Sequence, residues 1–214
     1  MSRANIKRTA RTRHFARIVV TTALLGGATA ASAGLYPPAA PPGSAFIRVF
    51  NASNQPKVSA QVGSKSLGDV SAMEASSYTF LPPGQYPVKI GDASDNTTLQ
   101  GSHCYTAAIG ADSKVHQFDQ QCFNSQLKAL VEVYNMIDGT TLSLRTTDGT
   151  AVVDSVAANA AGQREVNPIK ANLVLYDGSN KLADAKPVTL MRGSTYSLFV
   201  TGTRSAPVLI WVNG

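Results

Sequence analysis

Apolar and polar positions alternate along Ala45-Phe46-Ile47-Arg48-Val49-Phe50-Asn51, and 84 positions later the pattern returns as Ala129-Leu130-Val131-Glu132-Val133-Tyr134-Asn135. Period two over such a run predicts a half-buried β-strand. One face carries Ile47 and Val49, matched by Val131 and Val133; the other carries Phe46, Arg48 and Phe50, matched by Leu130, Glu132 and Tyr134. Each copy ends at Asn, a residue that tolerates turn geometry. A strand recurring at domain-sized spacing predicts a chain built from two related units.

Further short runs follow in each unit. In the first, Lys57–Val62, Ser76–Leu81, Gln85–Ile90, Tyr105–Ile109 and Val115–Phe118 read as strands. They are separated by turn chemistry at Ser53-Asn54-Gln55-Pro56, Gly63-Ser64-Lys65-Ser66, Leu81-Pro82-Pro83-Gly84 and Gly91-Asp92-Ala93-Ser94. In the second, Thr141–Arg145, Asn172–Tyr176 and Tyr196–Val200 answer these strands, and Val208–Val212 closes the chain. Val156–Gln163, rich in Ala, is the one helix-tolerant patch. Many short strands with turns between them predict an all-β fold: two tandem antiparallel β-sandwich domains, jelly-roll or Ig-like, related by the internal repeat. The expected boundaries are 44–123 and 127–214, with the joint near Phe123–Lys128.

The first 33 residues read differently. Arg3, Lys7, Arg8, Arg11, Arg13 and Arg17 form a basic region without acids, an apolar run extends from Ile18 to Ala30, and Ala31-Ser32-Ala33 is a small-residue cleavage site. This is the layout of a secretory signal peptide; the run is shorter than the roughly 20 apolar residues of a spanning helix. Residues 34–43, GLYPPAAPPG, form a Pro-rich arm that favours extended polyproline II. Of 19 Lys and Arg, six lie in the leader, so 13 remain against 13 Asp and Glu, a net charge of 13 − 13 = 0. The apparent basicity of the chain therefore belongs to the leader. Aggregate charge gives no support for nucleic acid or another polyanion as partner, although a local patch is compatible with it.

Little in the sequence suggests catalysis or metal binding. Cys104 and Cys122 flank the Tyr105–Phe118 hairpin almost symmetrically, and in a secreted chain a disulfide is expected. The competing arrangement is a zinc site from His103, Cys104, His116 and Cys122, opposed by the opposite facing of adjacent strand residues His103 and Cys104. Beyond the leader the histidines are His103 and His116 alone, and no nucleophile elbow, P-loop or zinc-protease motif is present. The expectation is no catalytic residue, no cofactor and no metal. Arg48 and Glu132, at one repeat position with opposite sign, are the candidate partner-facing residues. The same pair admits an interdomain ion pair or two solvated charges.

Several blocks together resemble the alginate biosynthesis protein AlgF family. They are Gly34-Leu35-Tyr36-Pro37, Pro42-Gly43-Ser44 leading into Ala45–Ala52, and Leu81-Pro82-Pro83-Gly84-Gln85-Tyr86. Arg164–Lys170 with Asn172-Leu173 and Leu175-Tyr176-Asp177 continues the match, as do Lys186–Leu190 with Arg192-Gly193, Val200-Thr201-Gly202, and Ala206-Pro207-Val208 with Trp211-Val212. The resemblance implies a periplasmic Gram-negative protein required for O-acetylation of alginate. It implies a non-catalytic adaptor whose partners are periplasmic SGNH-like O-acetyltransferases of the alginate secretion complex, and which meets the membrane only through them. The alternative is direct binding of alginate, with aromatics such as Tyr86, Tyr105 and Trp211 stacking on sugar rings. The resemblance supplies no motif for partner-binding residues.

Overall fold

The computed structural model describes residues 40–213. The leader expected over 1–33 and positions 34–39 of the Pro-rich arm lie outside them. The described residues form two β-sandwiches. In the first, one sheet has the order β4 (Thr79–Leu81), β1 (Ala45–Asn51), β7 (His103–Ile109), β8 (Val115–Gln121). The facing sheet runs β3 (Lys65–Ser71), β2 (Lys57–Val62), β5 (Gly84–Ile90), β6 (Ala93–Leu99). The second sandwich repeats this plan. One sheet runs β12 (Ala160–Val166), β9 (Ala129–Asn135), β17 (Thr195–Thr203), β18 (Ala206–Asn213), and the other β11 (Ala151–Ala157), β10 (Thr141–Thr146), β14 (Leu173–Asp177), β15 (Asn180–Asp184). A small ribbon of β13 (Ile169–Ala171) and β16 (Val188–Leu190) is its only addition. β8 ends at Gln121 and β9 begins at Ala129, which leaves a seven-residue joint. No helix among the described residues is long and apolar enough to cross a membrane.

The repeated strand lies at the centre of each unit, and its neighbour is parallel: β1 pairs β7 and β9 pairs β17 in the same direction. This refines the antiparallel expectation. β1 and β7 are separated by the whole facing sheet, so the chain has the long crossover that parallel pairing requires. Ile47 and Val49 pack with Val58, Val62, Val88 and Ile90 in the first core. Val131 and Val133 pack with Leu142, Leu144, Leu175 and Leu198 in the second. The terminal asparagines are also repeated devices. Asn51 Nδ2 donates to the carbonyls of Gln55 and Val70 while its Oδ1 accepts from the Ser53 amide. Asn135 does the same with Val156, Thr140 and the Ile137 amide.

Two local expectations change. Val156–Gln163 is not helical. Its residues belong to β11 and β12, joined by a tight turn with Asn159 at φ 56° that carries the chain from one sheet to the other. Pairing with β9 across Ala160–Val166 overrides the weak helical preference of Ala. The polar stretch 93–99 is strand β6, held by its full register with β5. As an edge strand it needs few apolar residues to be stable.

Candidate functional site

The Arg48 face of β1 and the Glu132 face of β9 are covered, as the interdomain ion-pair reading requires and the solvated reading does not. The β4-β1-β7-β8 sheet packs against the β12-β9-β17-β18 sheet, and a third apolar cluster forms between the sandwiches from Phe50, Ala52, Ala108, Phe118, Tyr134 and Phe199. Phe50 and Phe199 stack with ring centroids 3.8 Å apart, Tyr134 stacks on Phe199 at 4.4 Å, and Phe118 meets Tyr134 edge-on at 5.2 Å. Such aromatic contacts add about 0.5–1.5 kcal/mol each beyond their area burial.

Arg48 and Glu132 meet beside this stack. One guanidinium nitrogen, Nη2, lies 3.3 Å from Glu132 Oε2, and the residues are 2% and 3% exposed. The same nitrogen donates to Ser197 Oγ at 2.7 Å and to the Tyr134 hydroxyl at 3.1 Å, while Nε donates to Thr106 Oγ1 at 3.1 Å. Ser197 Oγ in turn donates a hydrogen bond to Glu132 Oε2, and the Tyr134 hydroxyl contacts both Glu132 and Gln120. The Tyr78 ring lies 4.7 Å from the guanidinium carbon.

The symmetry of the repeat explains this convergence. Thr106 is the register partner of Arg48, and Ser197 is the register partner of Glu132. Equivalent positions of duplicated units thus meet each other, as in an isologous contact. Burial alone works against the charge of Arg48, but Tyr134, Tyr78 and Glu132 outweigh it and raise its pKa above the usual value. Burial, then the neighbouring Glu132 charge, pushes the Tyr134 phenol well above the ordinary tyrosine range. Neither Arg48 nor Glu132 is presented to a partner, because each is covered by the other's sheet; this corrects the partner-facing expectation. Tyr78, Thr106, Gln120, Ser197 and Phe199 belong to the same site and escaped the sequence reading. Thr106 and Ser197 become readable once the repeat is combined with the pairing of β1 with β7.

The cysteines close a disulfide, Cys104–Cys122, with Cα atoms 5.0 Å apart. It ties the start of β7 to the residue just after β8. With both sulfurs in this bond, the zinc arrangement is removed. His103 Nδ1 instead lies 2.7 Å from Asp119 Oδ1, and its Nε2 accepts from Gln121. His116 Nε2 lies 3.3 Å from Asp112 Oδ1. No group of three or more metal-ligating side chains occurs among the described residues. Both of these histidines pair with a carboxylate rather than with a hydroxyl. Gly91-Asp92-Ala93-Ser94 is the β5–β6 turn and the start of β6.

The aromatics considered for sugar stacking are engaged within the fold. Tyr105 is 6% exposed and its hydroxyl accepts from the Gln100 amide at 2.8 Å, an arrangement repeated by Tyr196 and the Met191 amide at 3.0 Å. Tyr86 packs against the first core and donates to the Pro82 carbonyl. Trp211 packs against the second core and its Nε1 donates to the Lys186 carbonyl at 3.1 Å. A cleft of about 330 Å³ opens between the sandwiches and is lined by Asp112, His116, Asp138, Thr201 and Arg204 among others.

A family model described as "Alginate O-acetyl transferase AlgF" matches residues 20–197. The alginate biosynthesis protein AlgF of Pseudomonas fluorescens is 43% identical over 204 residues, covering 92% of this chain and 93% of its own. Two solved domain structures of AlgF from P. aeruginosa are also similar. The C-terminal one is 48% identical, covers 41% of this chain and 99% of its own, and has a TM-score of 0.38. The N-terminal one is 34% identical, covers 38% and 99%, and has a TM-score of 0.35. By the extent of the family match and the identity to its relatives along nearly the whole chain, the protein belongs to the AlgF family of alginate biosynthesis proteins.

Proposed function

We propose that this protein is a non-catalytic periplasmic adaptor for the O-acetylation of alginate, which reaches the periplasm through a cleaved leader and holds the acetyltransferases that perform the chemistry. The observation that supports it best is the use made of the repeated strand. Its Arg48 and Glu132 copies, the most chemically distinctive positions of the duplication, serve to fix two sandwiches against each other. A rigid body with two non-identical lobes is what a scaffold needs. Acyl transfer through a hydroxyl nucleophile would need a base hydrogen-bonded to that hydroxyl. His103 and His116 hold carboxylates instead.

The test is a pull-down of the purified protein with each periplasmic acetyltransferase, beside incubation with an acetyl donor ester and titration with alginate oligosaccharides at low salt. Transferase capture without acetyl turnover is expected. Turnover by the protein alone, or oligosaccharide binding without transferase binding, overturns the reading.

A further inference from the structure

β18 (Ala206–Asn213) is the outermost strand of the β12-β9-β17-β18 sheet, and among the described residues it pairs with β17 alone. Its register with β17 runs through eight consecutive pairs, from Thr203↔Ala206 to Tyr196↔Asn213, without a bulge. In an antiparallel ladder, every second residue of an outer strand turns its N–H and C=O away from its neighbour. Pro207 has no N–H to offer, but each of residues 208–213 has one. β18 therefore presents an unbroken row of backbone donors and acceptors along its outer side.

Native sheets blunt such edges with charged side chains, bulges or very short strands. The other sheet edges of this protein follow that rule. β3, β6, β8, β11, β12 and β15 each carry at least one Asp, Glu, Lys or Arg, and β4 has three residues. β18 carries no charge at all. Its side chains already lean on established packing. Leu209 and Trp211 lie against the second core, while Ile210 and Val212 extend the apolar cluster between the sandwiches. Val208, on the same face as Ile210, is 45% exposed.

We propose that β18 pairs with β18 of a second copy of this chain, antiparallel about a twofold axis through Ile210, and so joins two sheets into one. This dimer goes beyond the adaptor reading and does not depend on it. An isologous contact opposes a surface to itself, so a charged edge would meet its own charge. β18 is the long edge that meets none. About Ile210, Val208 stands opposite the partner's Val212, Leu209 opposite the partner's Trp211, and Ile210 opposite its own copy. Period two keeps every residue on its own face, so apolar side chains meet apolar ones on both sides of the joined sheet. On the side of the junction, the pairing continues the cluster that Ile210 and Val212 already extend. Pro207 falls at the end of the ladder, opposite the partner's Asn213. A strand of a foreign protein would satisfy the same backbone row, but β18 offers no charge to select one or fix its register.

The test is sedimentation equilibrium of the purified protein over a concentration series, with thermal unfolding recorded for each variant. The variants are Val208→Lys, Val212→Glu and the combined Val208→Lys/Val212→Glu. Within one chain these positions lie four residues apart, roughly 13 Å along the strand. Across the proposed axis they are direct neighbours. The wild type is expected to dimerise, and each single variant to dimerise about tenfold or more weakly while staying folded. The combined variant should regain most of the loss at low salt and less of it at high salt, because its two cross-strand ion pairs are screened. A wild type that stays monomeric at every concentration overturns the dimer. A dimer that both folded single variants retain overturns the assignment of β18. Failure of the combined variant to regain affinity overturns the register about Ile210. A monomeric wild type that binds an acetyltransferase, and loses that binding on Val208→Lys, gives the edge to a foreign strand and overturns the self-pairing, leaving the adaptor reading standing.

Discussion

Arg48 and Glu132 occupy the same position in two copies of one strand, and the fold brings them within 3.3 Å in a site closed to solvent. Exposed ion pairs contribute about 0–1 kcal/mol. A buried one behaves differently, because removing one partner strands the other charge in a low dielectric. Arg48→Met or Glu132→Leu alone should destabilise the protein by about 3–5 kcal/mol, whereas the double substitution should recover much of that loss. Chemical denaturation of the four proteins measures it. Additive losses in the double variant would show that the two side chains do not act as a pair.

The stack of Phe50 on Phe199 is the apolar half of the same junction. Phe199→Ala should cost about 3–5 kcal/mol, the range for deleting a buried aromatic ring. Because the ring lies between the sandwiches rather than inside either core, the loss should appear first as undocking. Limited proteolysis should then cut within residues 122–128 while each sandwich stays protected. Cleavage spread evenly over both sandwiches would place Phe199 in global stability instead.

The Cys104–Cys122 disulfide spans 18 residues of sequence around a hairpin that is already fully paired. Cys104→Ser/Cys122→Ser should lose about 3 kcal/mol in the chain-entropy model and keep the native fold. Thermal unfolding with and without reductant reads the difference, and reductant should have no effect on the double variant. Two free thiols in the denatured, unreduced wild type would contradict the bond.

Tyr134 sets an alkaline limit. Its phenol is held well above the ordinary tyrosine value in the folded state, first by burial. In the unfolded chain it ionises near pH 10. Above about pH 10 the unfolded state therefore binds fewer protons than the folded state, and stability falls as pH rises. Its stabilising effect is fully present at neutral pH and below. Tyr134→Phe should flatten the decline in unfolding free energy above about pH 10, and an unchanged slope would assign it to Tyr78 or Tyr105, which burial also raises.

The strand alternation, the repeat and the turn chemistry were enough to read two related sandwiches and both of their cores. Ile47, Val49, Val131 and Val133 point inward because a period-two strand offers no other way to bury them. The flanking cysteines and the balance of charge were legible for the same reason: each depends on composition and on distance along the chain. Polar edge strands such as β6 were hard to see, because hydrogen bonding to a neighbour, not apolar content, holds them. The junction was legible only as one of the readings open to Arg48 and Glu132, an interdomain ion pair beside solvated or partner-facing charges. Phe46, Arg48 and Phe50 form the pattern of a solvent face that happens to carry aromatics, and the local sequence is the same whether water or another sheet covers it. Which surface Arg48 meets depends on two sheets packing face to face, with Thr106 and Ser197 brought in by parallel pairing. Only the tertiary structure decides that, since it joins residues 84 positions apart that no local periodicity relates.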